Sequence, residues 1–327
     1  MRKAISAAAF CVAASSIQAS AIELGMPIDC VVGQSCMIQN YVDAEPGTGA
    51  KDFECGPLAY DNHQGTDFRL RNRAELAKGY SALAAAPGMV VSAINDQPDH
   101  GFAKAQDDPF GCGNAVMIDH GGGWVSQYCH LARGSVRVKP GQSVREGDPL
   151  GLIGSSGGTD FPHLHYAIRR FAAVINPFTG VSPTGCEAPS AKPLWHASLD
   201  LAYAPSALVG LGVTGVFPSI DLVNQDHALL TAPAGKTAPF YIWLHMMGAQ
   251  KGDSVRFMAF GPDGRPFASE LFDVSEDKTI YLANIGVEPS DMDVTEWPPG
   301  EYRARITYFT DGEEALREEL AFDLPMP

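Results

Sequence analysis

Short apolar segments alternate with glycine-rich turns from about residue 61 to residue 177. Segments 89–94 and 115–118 are strand-length and rich in aliphatic side chains, which favours β-strands over helices. Gly121, Gly122 and Gly123 separate two such segments and predict a hairpin turn. A helix is expected only within residues 71–86. The pattern therefore predicts a mainly β fold, with an antiparallel sheet in this part of the chain.

The C-terminal part of the chain repeats this pattern after a break. Residues 181–192 are rich in Gly, Pro, Ser and Thr, which indicates a linker. Beyond it, segments 240–244, 254–260 and 302–308 alternate apolar and polar residues with turns between them. We therefore expect residues 193–327 to form a small immunoglobulin-like β-sandwich. Residues 61–180 form the first domain in this division, and residues 22–60 an irregular N-terminal segment that contains cysteines.

The N-terminus has the pattern of a secretion signal. Arg2 and Lys3 precede an apolar, Ala-rich run that ends in small residues at Ala19, Ser20 and Ala21. We expect residues 1–21 to be a signal peptide and the protein to be exported. No later apolar run is long enough to cross a membrane, since a helical span needs about 18 apolar residues or more. No integral membrane segment is therefore expected after the signal is removed.

Cysteine usage and net charge narrow the class further. The six cysteines after the signal are Cys30, Cys36, Cys55, Cys112, Cys129 and Cys186. An even number in an exported chain indicates disulfides, and we expect the pairs Cys30–Cys36 and Cys112–Cys129. The second pair flanks the predicted hairpin. No C-x-x-C spacing is present, which argues against a thiolate zinc site. The net charge of −15 argues against binding to nucleic acid.

Three short segments contain the residue types that a metal site requires. They are the segment with His63 and Asp67, the segment with His130, and the segment with His163 and His165. Residues two apart in a strand point to the same face of the sheet, so His163 and His165 are expected side by side. Two imidazoles and one carboxylate suit catalytic zinc, which keeps a position for water. Each segment alone is a weak signal, but their combination in one β domain predicts a metal centre.

With these landmarks the chain resembles the lysostaphin-like (M23) zinc endopeptidases. The matching residues are His63-x-Gly65-x-Asp67, Gly113-Asn114, His120-Gly121, Tyr128-x-His130-Leu131, His163-x-His165 and Asn176-Pro177. The resemblance spans roughly residues 55–180 and does not extend to the C-terminal block. Residues 160–162 and 166–167 depart from the family's usual sequence around the last motif, which leaves the shape of the groove and the substrate preference open.

The resemblance implies a site and a reaction. It implies an antiparallel β-sheet groove in which one Zn²⁺ is bound by His63, Asp67 and His165. His130 and His163 are then the catalytic histidines that do not bind the metal. The implied activity is hydrolysis of the peptide cross-links of peptidoglycan by a zinc-activated water. Together with the secretion signal and the expected disulfides, it leads us to expect a location in the periplasm, with secretion as the alternative.

Two other functions remain open from the sequence. One is a catalytically inactive module that binds or regulates peptidoglycan, although such members of the family lack metal ligands that this chain retains. The other is a zinc endopeptidase that acts on exported proteins. The C-terminal domain contains no catalytic constellation, and we expect it to bind a wall component or a protein partner, or to shape the groove.

Overall fold

The computed structural model describes residues 22–99, 111–186, 192–225 and 235–324. The expected signal peptide at residues 1–21 lies outside these ranges, as do His100 and His227. Among the described residues, no helix is both long enough and apolar enough to cross a membrane.

The described residues are mainly in β-strands. The strands are β1 (Cys36–Asn40), β2 (Thr66–Leu70), β3 (Ser81–Leu83), β4 (Gly88–Ile94), β5 (Asn114–Gly121), β6 (Trp124–Leu131), β7 (Ser143–Val144), β8 (Pro149–Leu152), β9 (His163–Arg170), β10 (Ala173–Ile175), β11 (Ala207–Thr214), β12 (Phe240–Ala249), β13 (Ser254–Phe260), β14 (Pro266–Asp273), β15 (Lys278–Val287), β16 (Gly300–Thr310) and β17 (Glu313–Leu324). The α-helix is α1 (Ile220–Gln225), and 3₁₀ helices cover Arg73–Lys78 and Pro289–Met292. The mainly β fold class is confirmed.

The helix expected over residues 71–86 is wrong for most of its length. Only Arg73–Lys78 is helical, as a 3₁₀ turn capped by the side chain of Asn72. Gly79 ends it with a left-handed backbone, at φ 78°. The chain then turns into β3, which pairs with β8. Glycine reaches this conformation without steric penalty, so the turn stops a helix that the residue types alone favour.

The first part of the chain is built on one antiparallel sheet. Its strand order is β1-β2-β9-β6-β5-β4-β7, and β10 pairs with β9. The expected irregular structure of residues 22–60 is wrong in one respect, because β1 lies inside this segment and pairs with β2. All five residues of β1 are buried, which places the segment in the same hydrophobic core as the sheet.

The C-terminal part forms two antiparallel sheets around a second core. One sheet has the order β11-β12-β15 and the other β14-β13-β16-β17. Alternate residues of their strands face inward, among them Phe240, Phe257 and Tyr302, which are fully buried. This arrangement agrees with two packed sheets, whereas the immunoglobulin-like topology stays a prediction.

The two parts touch beside β2. Arg69 on β2 is fully buried and donates through its guanidinium to Asn224 on α1 and to Gln39 on β1. Farther along the junction, the hydroxyl of Thr279 at the start of β15 donates to the backbone oxygen of Pro57, at 2.8 Å. These polar contacts hold the C-terminal part against the strand that carries Asp67 and against the segment before it.

Three disulfides connect the chain. Both expected pairs, Cys30–Cys36 and Cys112–Cys129, are present, and Cys55–Cys186 is the third. The Cys112–Cys129 bridge joins a residue two positions before β5 to β6 and lies next to His130. The Cys55–Cys186 bridge attaches the N-terminal segment to the expected linker that follows the first domain, across a separation of 131 residues.

Candidate metal centre

The centre lies where β2 meets β9 in the middle of the sheet. These strands are antiparallel, and their register sets Asp67 opposite His165 and Arg69 opposite His163. Antiparallel partners on one face have Cβ atoms about 5 Å apart, which suits side chains that share a ligand. His63 comes from the turn just before β2. All three of the strongest sequence candidates therefore meet at one point.

Three donor atoms converge there. The Nδ1 atom of His165 lies 2.9 Å from Asp67 Oδ1, and the Nε2 atom of His63 lies 3.2 Å from the same oxygen. The two imidazole nitrogens are 3.1 Å apart. Donors at tetrahedral zinc–ligand distances are separated by about 3.3 Å from one another. The triangle therefore fits a small tetrahedral cation, and these residues could hold a metal ion.

Hydrogen bonds outside the triangle orient two of its members. The Nδ1 atom of His63 lies 2.6 Å from the backbone oxygen of Tyr41, which can only accept, so this nitrogen carries the proton. The Nε2 lone pair is then directed at the centre. The Nδ2 atom of Asn40 donates to Asp67 Oδ2 at 2.8 Å, which leaves Oδ1 facing the histidines. Such outer contacts fix ligand orientation and raise metal affinity.

Gly65 lies under the ring of His165. A Cβ atom at this position would be 2.6 Å from Cε1 and 2.7 Å from Nε2 of that ring. It would also approach the backbone oxygen of Tyr166 to 2.7 Å. The glycine of the His63-x-Gly65-x-Asp67 motif is thus required by the close approach of β9.

His163 and His130 lie beside the triangle, not in it. The Nε2 atom of His163 is 3.6 Å from Asp67 Oδ1, and its Nδ1 donates to the backbone oxygen of Phe161 at 2.8 Å. The Nδ1 atom of His130 donates to the backbone oxygen of Ser156 at 2.9 Å. Their ring centroids are 4.6 Å apart. Both imidazoles therefore have an Nε2 atom without a proton while they are neutral.

The backbone at His130 is unusual. Its φ is 62°, in the left-handed region that residues other than glycine seldom adopt. Its amide donates to the backbone oxygen of Cys112 at 2.9 Å, and the Cys112–Cys129 disulfide holds the same two segments together. Strained backbone of this kind persists only where its surroundings fix it, and such sites are often functional.

Burial and the neighbouring ionisable groups determine the protonation states of Asp67 and the histidines of the centre. Burial raises the pKa of Asp67, but the neighbouring His63 and His163 outweigh it and hold the pKa well below its usual value. Burial lowers the pKa of His63, yet the carboxylate of Asp67 outweighs burial and raises it. Burial and the nearby His163 and His165 hold the pKa of His130 well below 6.5. Burial likewise dominates at His163 and lowers its pKa. At neutral pH, His130 and His163 are accordingly uncharged.

Sequence reasoning missed two residues of the centre. Asn40 is nearly fully buried and contacts Asp67, although it precedes that residue by 27 positions. The ring of Tyr60 stacks on His63 with centroids 4.3 Å apart. Asn40 follows the short apolar run at residues 36–38, but nothing in this local sequence indicates that its partner is Asp67. Tyr60 gave no signal either.

A cavity of about 440 Å³ opens beside the triangle. Asp67 and His163 form part of its wall, together with Tyr60 from the segment before β2. Thr279 and Ile280, at the start of β15, form another part. We call this space the side cavity. It shows that the C-terminal part borders the candidate site.

The remaining described histidines lie away from the centre. His120, at the end of β5, bonds to the backbone oxygen of Pro87 and to the hydroxyl of Ser126. His196 lies 3.0 Å from a carboxylate oxygen of Glu146. His245 is fully buried on β12. None of these three joins the group that could hold a metal ion.

Comparison with known proteins finds curated relatives that match part of this chain. The peptidoglycan DD-endopeptidase ShyA of Vibrio cholerae is 31% identical over 127 residues, which are 39% of this chain and 25% of that protein. The murein hydrolase activator EnvC of Escherichia coli is 38% identical over 95 residues, 29% of this chain and 21% of that protein. The chain thus spans a quarter or less of the length of these curated relatives.

A solved structure of the catalytic domain of the M23 protein EnpA from Enterococcus faecalis is also similar. It covers 50% of this chain and 92% of its own, with 22% identity and a TM-score of 0.30. Residues 61–177 match the sequence profile of peptidase family M23. This range contains the three triangle residues and both adjacent histidines. The resemblance to peptidase family M23 expected from the sequence is therefore confirmed for residues 61–177.

Proposed function

We propose that this protein is an exported zinc endopeptidase that hydrolyses peptide cross-links of peptidoglycan. The observation that carries the proposal is the triangle of His63, Asp67 and His165, whose donor atoms lie 2.9 to 3.2 Å apart. Such a set matches the two imidazoles and one carboxylate of many catalytic zinc sites. It lies within the segment that matches peptidase family M23.

His63, Asp67 and His165 would hold the metal. When bound, a zinc ion supplies Lewis acidity, which polarises a carbonyl oxygen and lowers the pKa of water. Zinc is favoured over magnesium or calcium because imidazole nitrogens outnumber oxygens in the set. Asn40 keeps Asp67 in its orientation through the bond to Oδ2, so the carboxylate does not rotate away from the two histidines.

His163 and His130 would move the protons. Each is neutral and presents an unprotonated Nε2, because its Nδ1 donates to a backbone oxygen. A neutral imidazole can accept a proton from the attacking water and later deliver one to the leaving amine. His163 is the nearer of the two to Asp67, with its Nε2 atom 3.6 Å from Oδ1. We assign the proton transfer from water to His163 and the stabilisation of developing charge to His130.

Peptidoglycan is the proposed substrate for two reasons. The relative ShyA is a peptidoglycan DD-endopeptidase, and the N-terminus has the pattern of a secretion signal. The disulfides agree with an oxidising compartment such as the periplasm. The same chemistry would also cut an exported protein, so the substrate must be tested directly.

A digestion of purified peptidoglycan tests the proposal. The zinc-loaded chain from Ile22 onward is incubated with peptidoglycan, and the soluble fragments are resolved by liquid chromatography and mass spectrometry. Cross-linked dimers should decline and monomers should accumulate. A chelator or the substitution His165→Ala should stop the conversion. Survival of the dimers beside a fully zinc-loaded protein would sink the proposal.

A role as a non-catalytic activator is the second candidate. The observation in its favour is the likeness to EnvC, a murein hydrolase activator. Such a role needs no metal ligands, whereas this chain retains a complete donor triangle and two neutral histidines beside it. Metal analysis separates the two functions. An activator should contain no stoichiometric zinc after reconstitution at neutral pH, and a peptidase should contain about one zinc per chain.

A further inference from the structure

Arg69 is the neighbour of His163 across the two strands that carry the metal centre. The register of β2 and β9 sets these two residues directly opposite each other. Opposite residues of an antiparallel pair point to the same face, so Arg69 shares its face of the sheet with Asp67 and His165. Arg69 is nevertheless fully buried. It therefore cannot touch a substrate, and any effect on the site must pass through its neighbours.

The guanidinium of Arg69 meets only neutral acceptors among the described residues. They are the side-chain oxygens of Gln39 and Asn224 and, at 3.5 Å, the backbone oxygen of Arg71. Burial lowers the pKa of Arg69 to about 9, so the group remains charged at neutral pH. A buried charge is tolerated only where acceptors surround it. The loss of one acceptor must therefore displace the guanidinium.

The acceptor Asn224 belongs to the C-terminal part. It is 5% exposed and lies on α1, outside the segment that matches peptidase family M23. The preceding residue, Val223, packs with Trp243 of β12 in a small buried cluster. This packing fixes α1 to the C-terminal sheets while the side chain of Asn224 reaches β2. The C-terminal part thus supplies one of the groups that hold Arg69 in place.

Phe161 connects Arg69 with His163. The guanidinium carbon of Arg69 lies 4.6 Å from the ring centroid of Phe161, and the ring centroids of Phe161 and His163 are 4.5 Å apart. The backbone oxygen of Phe161 accepts from Nδ1 of His163 at 2.8 Å. This bond keeps the proton on Nδ1 and leaves Nε2 free to act as a base. A displaced Arg69 would move Phe161 and release the imidazole from this tautomer and orientation.

We propose that Arg69 is a positioning residue for His163, and that Asn224 makes the C-terminal part necessary for turnover by holding Arg69 against Phe161. The kinetic part of this inference rests on the proposed function, since it concerns the histidine to which we assign proton transfer from water. Zinc binding should not depend on Arg69, because its contacts lead to Phe161 and not to the donor triangle. The C-terminal part then affects the chemical step without supplying a catalytic residue.

Arg71 is the matched case of an arginine that joins the two parts of the chain. Its guanidinium donates to the backbone oxygen of Val209 on β11 at 3.1 Å and to that of Gln34 at 3.2 Å. These contacts attach β11 to the first domain without involving Phe161. If Arg69 also did no more than join the two parts, the variants Arg69→Met and Arg71→Met would behave alike.

Steady-state cleavage of cross-linked peptides by the zinc-loaded chain compares these two variants. Arg69→Met should lower kcat about 10- to 100-fold and keep KM within about twofold, because a misplaced His163 weakens the transition state and not substrate binding. Arg71→Met should lower the unfolding temperature but keep kcat within about twofold of the unsubstituted protein. Zinc content should stay unchanged in both. An equal kcat in the two variants would overturn the positioning role.

Three variants at Asn224 separate positioning from stability. Asn224→Asp retains the acceptor and should keep kcat, whereas Asn224→Leu leaves a donor of the buried cation unpaired and should lower both kcat and the unfolding temperature. Adding Arg69→Met to Asn224→Leu removes that cation, so the double variant should unfold at a higher temperature than Asn224→Leu alone. Its kcat should remain about 10- to 100-fold low. A kcat that recovers together with stability would show that Arg69 acts through folding alone.

NMR of the protein labelled on its histidine nitrogens reads the position of the His163 proton directly, with His163→Ala to assign the signal. The tautomer protonated on Nδ1 should dominate in the unsubstituted protein and in Arg71→Met, and a mixture of tautomers should appear in Arg69→Met and in Asn224→Leu. An unchanged tautomer in Arg69→Met would overturn the proposal. If the unsubstituted zinc-loaded protein cleaves no cross-linked peptide, the proposed function fails, and the tautomer of His163 still decides whether Arg69 positions its ring.

Discussion

Asp67 on β2 lies directly opposite His165 on β9, and Asp67 Oδ1 is 2.9 Å from His165 Nδ1. The contact joins residues 98 positions apart in the chain. It exists because β2 and β9 are neighbours in the sheet although many strands separate them in sequence. The candidate metal centre is therefore a product of sheet order, and its geometry depends on the register of these two strands.

Gly65→Ala should disrupt the centre without changing a ligand. The new Cβ would come within 2.7 Å of the His165 ring and of backbone, so the ring or the strand must shift. We expect weaker zinc binding and an activity loss of at least about tenfold, since small misplacements in a site have large effects. Competition with a chromogenic chelator measures the affinity. Gly141→Ala is the control, because no atom lies within 4 Å of its Cβ position.

The control variant Gly141→Ala adds backbone strain of its own, because Gly141 has a positive φ of 82°. It should therefore lower the unfolding temperature slightly but leave zinc affinity unchanged. Zinc affinity that falls equally in both variants would show that Gly65 acts through general stability and not through contact with His165.

Asn40→Ala should weaken metal binding by freeing Asp67. The substitution removes the 2.8 Å bond to Oδ2, and the loss of such outer contacts lowers metal affinity by about 10- to 100-fold. Asn72→Ala is a matched control, because Asn72 is also a buried asparagine but caps a 3₁₀ helix. Chelator competition on both variants gives the comparison. Unchanged affinity in Asn40→Ala would contradict the orienting role.

The sequence predicts those features of the candidate centre and its sheet that depend on residues close together in the chain. The pair of His163 and His165 follows from the two-residue period of a strand, and the glycine turn at residues 121–123 follows from local chemistry. Predicting these features does not require knowing which strands become neighbours in the sheet. Both short-range disulfides were predictable for the same reason.

Long-range contacts were not predictable in this way. Residues 22–60 have many turn residues, and nothing local indicates that β1 adds an edge to the sheet and brings Asn40 to Asp67. The position of Ile280 beside the same site depends on how two domains pack. Helix propensity also failed at residues 81–83, because pairing with β8 outweighs it.

Removal of the Cys112–Cys129 disulfide should affect His130 more than the metal. The bridge lies next to His130, whose amide also bonds to Cys112. The double serine variant should lose about 3 kcal/mol of stability and much of its activity, but retain zinc. Thermal unfolding, metal analysis and a cleavage assay measure the three effects. Full activity without the bridge would show that the strained backbone at His130 does not depend on it.

His120 should make stability depend on pH. Burial is the main cause that lowers its pKa below 6.5, so the unfolded chain takes up this proton first as the pH falls. The stability contribution is complete above about pH 6.5 and is lost below it. Denaturant unfolding of His120→Gln should therefore show a smaller decrease between about pH 7.5 and pH 5.5 than the unsubstituted protein. An identical decrease would show that other groups account for it.

The two histidines of β9 should respond differently to substitution. His165 belongs to the donor triangle, so His165→Ala should lose both zinc and activity. His163 lies outside it, with its Nε2 atom 3.6 Å from Asp67. His163→Ala should keep zinc and lose about 10²- to 10⁴-fold in kcat, the usual contribution of a general acid or base.

The zinc-to-protein ratio of these two purified variants, measured by atomic spectroscopy beside cleavage of cross-linked peptides, tests the central claim most directly. The account predicts about one zinc per chain in His163→Ala and none in His165→Ala, with both variants inactive. Zinc lost from both, or retained by both, would contradict the assignment of the triangle.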